Sequence, residues 1–212
     1  MPEKNQFGSK FYNLTLRKYV KFEIISYLKR LFEKKNILTK KKYIQLGCTI
    51  NDLKKDFINL DFDNKRNILF SDFRYRLPFK NDTFFGAFSE HSIEHLNSFD
   101  SIQFLSEVYR ILIPDGVFRI IVPDLNLYIK FYEKKKTNVY FKKFMNGCEA
   151  IWMVTQNQGH QTVWDYEMLQ LQLNKVGFKK VFKRKYKVGT NADLLLDKKG
   201  RQTHSLYVEA IK

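Results

Sequence analysis

Apolar positions change their spacing repeatedly along this chain. Between residues 11 and 35, Phe11, Leu14, Tyr19, Phe22, Ile25, Leu28 and Phe32 recur at roughly helical period, with Lys and Arg between them. This predicts an amphipathic helix packed on the domain with its lysines in water; a membrane-surface or lid helix is the alternative. From Lys42 the runs shorten: KYIQLG, INLDF, NILFSD and FFGAFSE each end in Gly or in polar and acidic residues. Residues 98–112 return to helical period and stop at Pro114-Asp115-Gly116, before the buried run VFRIIVPD. Strands alternating with helices predict an α/β fold with a parallel sheet, whose ligands bind at the carboxyl ends of the strands. Those ends are Gly47-Cys48, Asp61, Asp72, Ser89-Glu90-His91 and Pro123-Asp124. Two further helices between about 124 and 164 read as an insertion capping these ends. WDYEMLQLQLNKVGF is a helix closed by Gly177, KKVFKRKY and THSLYVEAIK are terminal strands, and 188–203 is a connecting loop. The chain divides into a helical segment, 1–40, and one domain, 41–212.

Composition narrows the classes. With 212 residues, 44% hydrophobic and 28% charged, a globular domain with a full core is expected. No run of eighteen apolar residues predicts a membrane span, and the first residues lack the apolar stretch of a secretory signal. Two cysteines are too few for a disulfide framework, so a cytoplasmic setting is expected. The net charge of +16 brings nucleic acid and anionic membrane into view. The excess is mostly Lys, in a chain also rich in Asn, Ile and Phe, which an A/T-rich coding sequence gives without any such partner.

The string His91-Ser92-Ile93-Glu94-His95 raises a sharper question. On a helix, His-x-x-Glu-His is the ligand spacing of a zinc hydrolase. Here it follows a buried strand, and a third ligand would have to come from Glu107 or Glu149. The segment therefore reads as the lining of a cleft, and no metal is expected.

Taken in order, IQLGCT, FINLDFD, SDFRYRLPFKNDTF, FSEHSIEHL, FLSEVYRILIPDGVFRIIVPDL, HQTVWDYEMLQLQLNKVGF and SLYVEA resemble the class I S-adenosylmethionine (SAM) dependent methyltransferases, in particular the type-11 group associated with sugar and surface-polysaccharide pathways. The resemblance covers about residues 40–212. It implies a Rossmann-like, mostly parallel sheet with an antiparallel terminal strand and a curtailed first crossover helix. It also implies SAM on Gly47, Cys48 and Thr49, on Asp61 and Phe62, on Asp72 and Phe73, and on Ser89, Glu90 and His91. Asp61 would accept the ribose hydroxyls and Asp72 the adenine amino group. On the acceptor side it implies Asp124, Tyr128 and His160, with His160 and His91 as candidate bases for a hydroxyl. Trp152 and Trp164 are either core or a stacking surface for a sugar.

The first loop departs from the group's usual Gly-Cys-Gly, with Thr49 in third place. Three readings stand open: a methyltransferase for a small-molecule or saccharide acceptor, an RNA methyltransferase, and a non-catalytic SAM-fold binding protein.

Overall fold

The computed structural model describes residues 16–48, 50–62, 67–135, 137–156 and 159–212. Its frame is one seven-stranded sheet: β1 (Tyr43–Leu46), β2 (Phe57–Asp61), β3 (Leu69–Phe70), β4 (Phe84–Glu90), β5 (Leu112–Pro123), β6 (Lys180–Arg184) and β7 (Ser205–Ile211). The spatial order is β3-β2-β1-β4-β5-β7-β6. β1 to β5 pair in parallel; β7 lies antiparallel between β5 and β6. The order reverses beside β1, and in an open α/β sheet such a switch point opens a crevice at the strands' carboxyl ends. Between β1 and β2 a single 3-10 turn, Ile50–Asp52, replaces a crossover helix, so the first connection is as short as expected.

Alternation along the strands sends two sets of side chains to opposite faces. Ile44, Leu46, Phe118, Ile120 and Val208 share the main core with Phe104, Leu105 and Val108 of α2 (Ser98–Ile111) and with Leu169 and Leu173 of α5 (Tyr166–Lys175). Both helices start where their sequence says: Asn97 accepts from the amides of Phe99 and Asp100, and Asp165 from that of Met168. α5 ends before Gly177, at φ +118°, where a Cβ would sit 2.7 Å from the ring of Tyr109.

The second face carries the small cluster of Phe57, Phe88, Val117, Ile121 and Tyr207, covered by Leu194 from the loop after β6. Among these apolar residues stands Arg119, fully buried. Its guanidinium donates to both oxygens of Asp197 (2.7 and 2.6 Å) and lies 3.3 Å from Glu209. Glu209 also accepts from Arg184 at 3.0 Å and from Thr190.

Two sequence expectations change. Pro114-Asp115-Gly116 does not separate a helix from a strand. β5 begins at Leu112, and the triplet is a bulge: Phe84 pairs Leu112 while Gly86 already pairs Val117. Glu107, weighed above as a third metal ligand, is buried, accepts from the amide of Leu77 at 2.8 Å and binds Arg110. The N-terminal helix α1 (Leu16–Leu31) keeps only part of its predicted inner face: Phe22 stacks on Phe62, but Leu28 and Phe32 are exposed. Ser26 is buried and Glu23 faces the domain, whereas Val20, Ile24, Tyr27 and Leu28 face water. Phe11 and Leu14 lie outside the described residues. The insertion after β5 is helical as expected: α3 (Leu125–Tyr132) and α4 (Gly147–Gln156), with their own cluster of Tyr128, Phe141, Phe144, Ala150 and Val154. No described helix is long and apolar enough to cross a membrane.

Removing one partner from a buried ion pair leaves an uncompensated charge. Asp197→Ala is expected to cost about 3–5 kcal/mol of unfolding free energy, measured by urea denaturation. Asp197→Asn, which keeps an acceptor oxygen for the guanidinium, should cost less than Asp197→Ala.

Candidate functional site

A cavity of about 670 Å³ opens at the carboxyl ends of β1, β2 and β4. Its floor is Gly47, at φ +78°, where a Cβ would come within 1.8 Å of Ser92 Oγ. No other residue fits there without moving the turn after β4, which fixes the close approach of two backbone segments under the cleft. The amide of Cys48 donates to Asp61 Oδ2 at 3.0 Å, so the first loop and the end of β2 hold each other. Burial, then Asp61, pushes the Cys48 thiol up to about 12, which rules it out as a nucleophile near neutral pH. Thr49 lies outside the described residues.

Phe62 and Phe73 line the cavity together with Phe22 of α1. Phe22 stacks on Phe62 at 4.4 Å, and Phe73 leans on Phe104 at 5.2 Å. Asp72 lines the same wall, yet its carboxylate is engaged: Oδ1 accepts from Arg74 Nε at 3.0 Å, and Oδ2 from Arg74 Nη2 at 2.7 Å and from Ser26 Oγ. These bonds hold it below the usual carboxylate range against the opposing effect of burial. Recognition of an adenine amino group by Asp72 would require exchanging one of them.

At the end of β4, Ser89 is buried beside Leu46 and does not line the cavity, whereas Glu90 and His91 do. Glu90 Oε1 accepts from the amide of Lys198 at 3.0 Å, and its carbonyl accepts from Arg201 Nη1 at 3.2 Å. His91 sits at φ +53°, a left-handed conformation that a non-glycine residue holds only against steric resistance. Its Nε2 is 2.8 Å from Ser205 Oγ and its Nδ1 is 3.5 Å from Glu94. Burial, then Arg201, holds the ring well below its normal pKa, so it stays neutral at pH 7.

The zinc-hydrolase geometry is absent. His91 precedes a 3-10 turn, Ile93–His95, and the two histidines share no helical face. Glu107 binds Leu77 and Arg110, while Glu149 accepts from the amide of Met145 at the start of α4. A different trio converges: ligand atoms of Glu94, His95 and His160 all lie within 4.8 Å of one another. The loop before α5 brings His160 there, because the carbonyl of Glu94 accepts from the amides of Gln161 and Thr162 at 2.8 and 3.1 Å. The ring of His160 meets that of His95 edge-on at 5.0 Å. His160 Nδ1 is 2.9 Å from the carbonyl of Val154, which can only accept. Nδ1 therefore carries the proton and Nε2 presents its lone pair. Burial lowers the pKa of His160, so that lone pair is available at neutral pH. Glu94, 1% exposed, is raised by burial to about 8 and is largely a neutral acid at pH 7.

Asp124 and Tyr128 are not brought to the cavity. Asp124 caps α3 by accepting from the amide of Asn126, and Tyr128 is packed in the cap, its hydroxyl 2.9 Å from that of Tyr140. Trp164 is core and Trp152 is exposed on α4. The cavity does contain two cations that the pattern hides, Lys198 and Arg201. Both lie in the segment read as a plain connection, where the only signal is the cluster Lys198-Lys199-Gly200-Arg201.

The cavity fits SAM by its own features: a glycine floor that a Cβ would fill, an acidic residue at the end of β2 and aromatic walls beside it. Residues 40–120 match the family model described as a methyltransferase domain, type 11. A comparison with curated protein sequences found no match. Among solved structures, the chain is similar to a SAM-dependent methyltransferase from Archaeoglobus fulgidus, at 17% identity and a TM-score of 0.53, over 92% of this chain and 94% of that one. It is similar to a SAM-dependent methyltransferase from Thermotoga maritima, described as a possible histamine N-methyltransferase, at 15% identity and a TM-score of 0.50, over 93% and 96%. A third likeness is to the complex of the Haloferax volcanii Trm112 methyltransferase activator with a putative methyltransferase: 14% identity, a TM-score of 0.50, over 96% and 98%. These likenesses carry the fold, and the family match carries the cofactor-side half of the sheet. The chain has the fold of the SAM-dependent methyltransferases, and its residues 40–120 match the methyltransferase-domain model.

Proposed function

We propose that this enzyme methylates a hydroxyl or amine of a small-molecule or saccharide acceptor, with His160 as the base that takes the acceptor's proton. The observation that carries this reading is the pinned ring of His160: Nδ1 is spent on the carbonyl of Val154, and Nε2 is left as an acceptor beside a cavity. SAM, when bound, supplies a methyl group on a sulfonium. The protein's part in such a displacement is alignment and a dry site. On the cofactor side, Gly47, Cys48, Asp61, Phe62 and Phe73 would hold it, with Glu90 and His91 closing the end of β4. Asp61 is suited to ribose hydroxyls, because its carboxylate is fixed by the amide of Cys48 at the strand end.

On the acceptor side, the acceptor's proton moves to His160 Nε2 as the acceptor atom is methylated. The neutral carboxyl of Glu94 keeps negative charge out of the site, and the resulting imidazolium is stabilised if Glu94 ionises in response. His91 is a positioning residue for the cofactor: locked on Ser205, it shapes the turn over Gly47. A metal-centred reading of Glu94, His95 and His160 competes, because two imidazoles and a carboxylate are a donor set for a divalent ion.

Three outcomes are expected. SAM or its demethylated product at about a hundred times its Kd adds roughly 2.7 kcal/mol of stability, seen as a thermal shift that Asp61→Ala abolishes. His160→Ala keeps that shift but lowers turnover by about 10²–10⁴-fold, while His91→Ala weakens both; turnover at the wild-type rate in His160→Ala removes it as base. The third concerns pH. Glu94 has a folded pKa raised from 4.5 to about 8, so its protonated form is favoured by folding and stability is lost as pH rises between those values. Glu94→Gln removes that loss. The unfolding midpoint of wild type relative to Glu94→Gln should therefore fall steadily from about pH 5 to pH 8. A metal content near one ion per chain, with wild type gaining on Glu94→Gln as pH rises, would instead establish the metal centre.

A further inference from the structure

α1 meets the domain through Phe22, which stacks on Phe62, and through a set of polar residues around it. Ser26, fully buried, donates to Asp72; Glu23 pairs with Arg74; and the guanidinium of Arg30 lies 3.4 Å from the ring centre of Tyr75. Positions 20, 24, 27, 28 and 31 fall on the opposite side of a 3.6-residue period. There Val20, Ile24, Tyr27, Leu28 and Leu31 form one stripe, each between 46% and 59% exposed, and Phe32 continues it at 85%. A surface helix of a water-surrounded domain has the reverse arrangement, with apolar residues inward and charges outward. Scattered exposed apolar residues are ordinary, but a continuous stripe on one element marks a contact surface.

Charge says what kind of contact. Lys21, Lys34 and Lys35 are exposed beside the stripe. The acidic residue of α1, Glu23, is on the inner side and tied to Arg74; the next, Glu33, is half-buried. Among the described residues of this segment, the outer surface thus combines apolar side chains with lysines, on a chain of net charge +16. That combination fits an interface between hydrocarbon and anionic headgroups, where neither component is strong enough by itself and the two add. A nucleic-acid backbone would use the lysines and leave the stripe in water.

We propose that the outer face of α1 docks on an anionic lipid bilayer, lying in the plane of its surface. Phe22 and Glu23, on the inner side of the same helix, line the cavity, so docking brings the cavity's α1 wall to the membrane.

The test is co-sedimentation of the full chain with phosphatidylcholine vesicles, with and without about 30% phosphatidylserine, at low and high salt. Binding is expected only with phosphatidylserine and should weaken as salt rises. The double variant Ile24→Glu, Leu28→Glu should bind about a hundredfold less, through lost apolar contact and added repulsion. Its circular dichroism and unfolding midpoint should stay near wild type, because both side chains face away from the domain. No sedimentation of wild type with phosphatidylserine overturns the proposal. So does undiminished binding by a folded double variant, which would assign the attraction to lysines elsewhere. A dimer in solution that the double variant dissolves assigns the stripe to a second copy of the chain, and binding of single-stranded RNA in place of vesicles assigns the surface to nucleic acid; either overturns it.

Discussion

The buried contact between Arg119 and Asp197 ties the sheet to its own covering. One face of the sheet has α2 and α5 packed on it; the small cluster on the other is covered by irregular chain running from Tyr186 to Leu196. Such chain has no intrinsic reason to lie flat on strands, because its backbone groups are not paired as a helix pairs them. The guanidinium supplies that reason. Nη2 donates to the carbonyl of Lys185, Nη1 to that of Val188, and Nε to Asp197, so one side chain satisfies three points of the loop. The next residue, Lys198, then falls beside Glu90, and Arg201 beside the carbonyl of Glu90. The electrostatics of the cleft therefore depend on an ion pair in the opposite layer of the molecule.

A second constraint acts at the end of β4. Once Gly47 and Ser92 are in contact, the chain leaving Glu90 has no room to continue straight, and His91 takes a left-handed conformation. That turn aims Glu94 inward, where burial keeps it protonated, and leaves its carbonyl outward, where it catches the loop carrying His160. Cofactor floor and acceptor-side histidine are thus set by one turn.

The strands, their order of chemistry and the capping insertion were legible in the sequence because each rests on a local pattern: an apolar run, a helical period, a cap or a glycine. Gly47, Asp61 and Phe62 could be placed at strand ends for the same reason. What escaped depends on contacts between distant residues. Arg119 looks like an interruption of the run VFRIIVPD, and nothing nearby says that Asp197, far along the chain, will neutralise it. Asp124 and Tyr128 begin the cap as expected, but only the packing of Tyr128 against Tyr140 and Phe141 shows that its ring belongs to the cap's own cluster. The period of α1 gave a helix, yet period alone does not say which side faces in; that was decided by Asp72 and Arg74.

The exposed apolar stripe of α1 has a consequence for the order in which the protein is made. α1 leaves the ribosome well before Asp72 and Arg74 exist, so its polar side has no partner during early synthesis, and a helix of this length is marginal in water by itself. Its apolar side needs nothing that comes later. Any surface that takes the apolar stripe of α1 can therefore meet this helix before Asp72 and Arg74 are there to hold its other side.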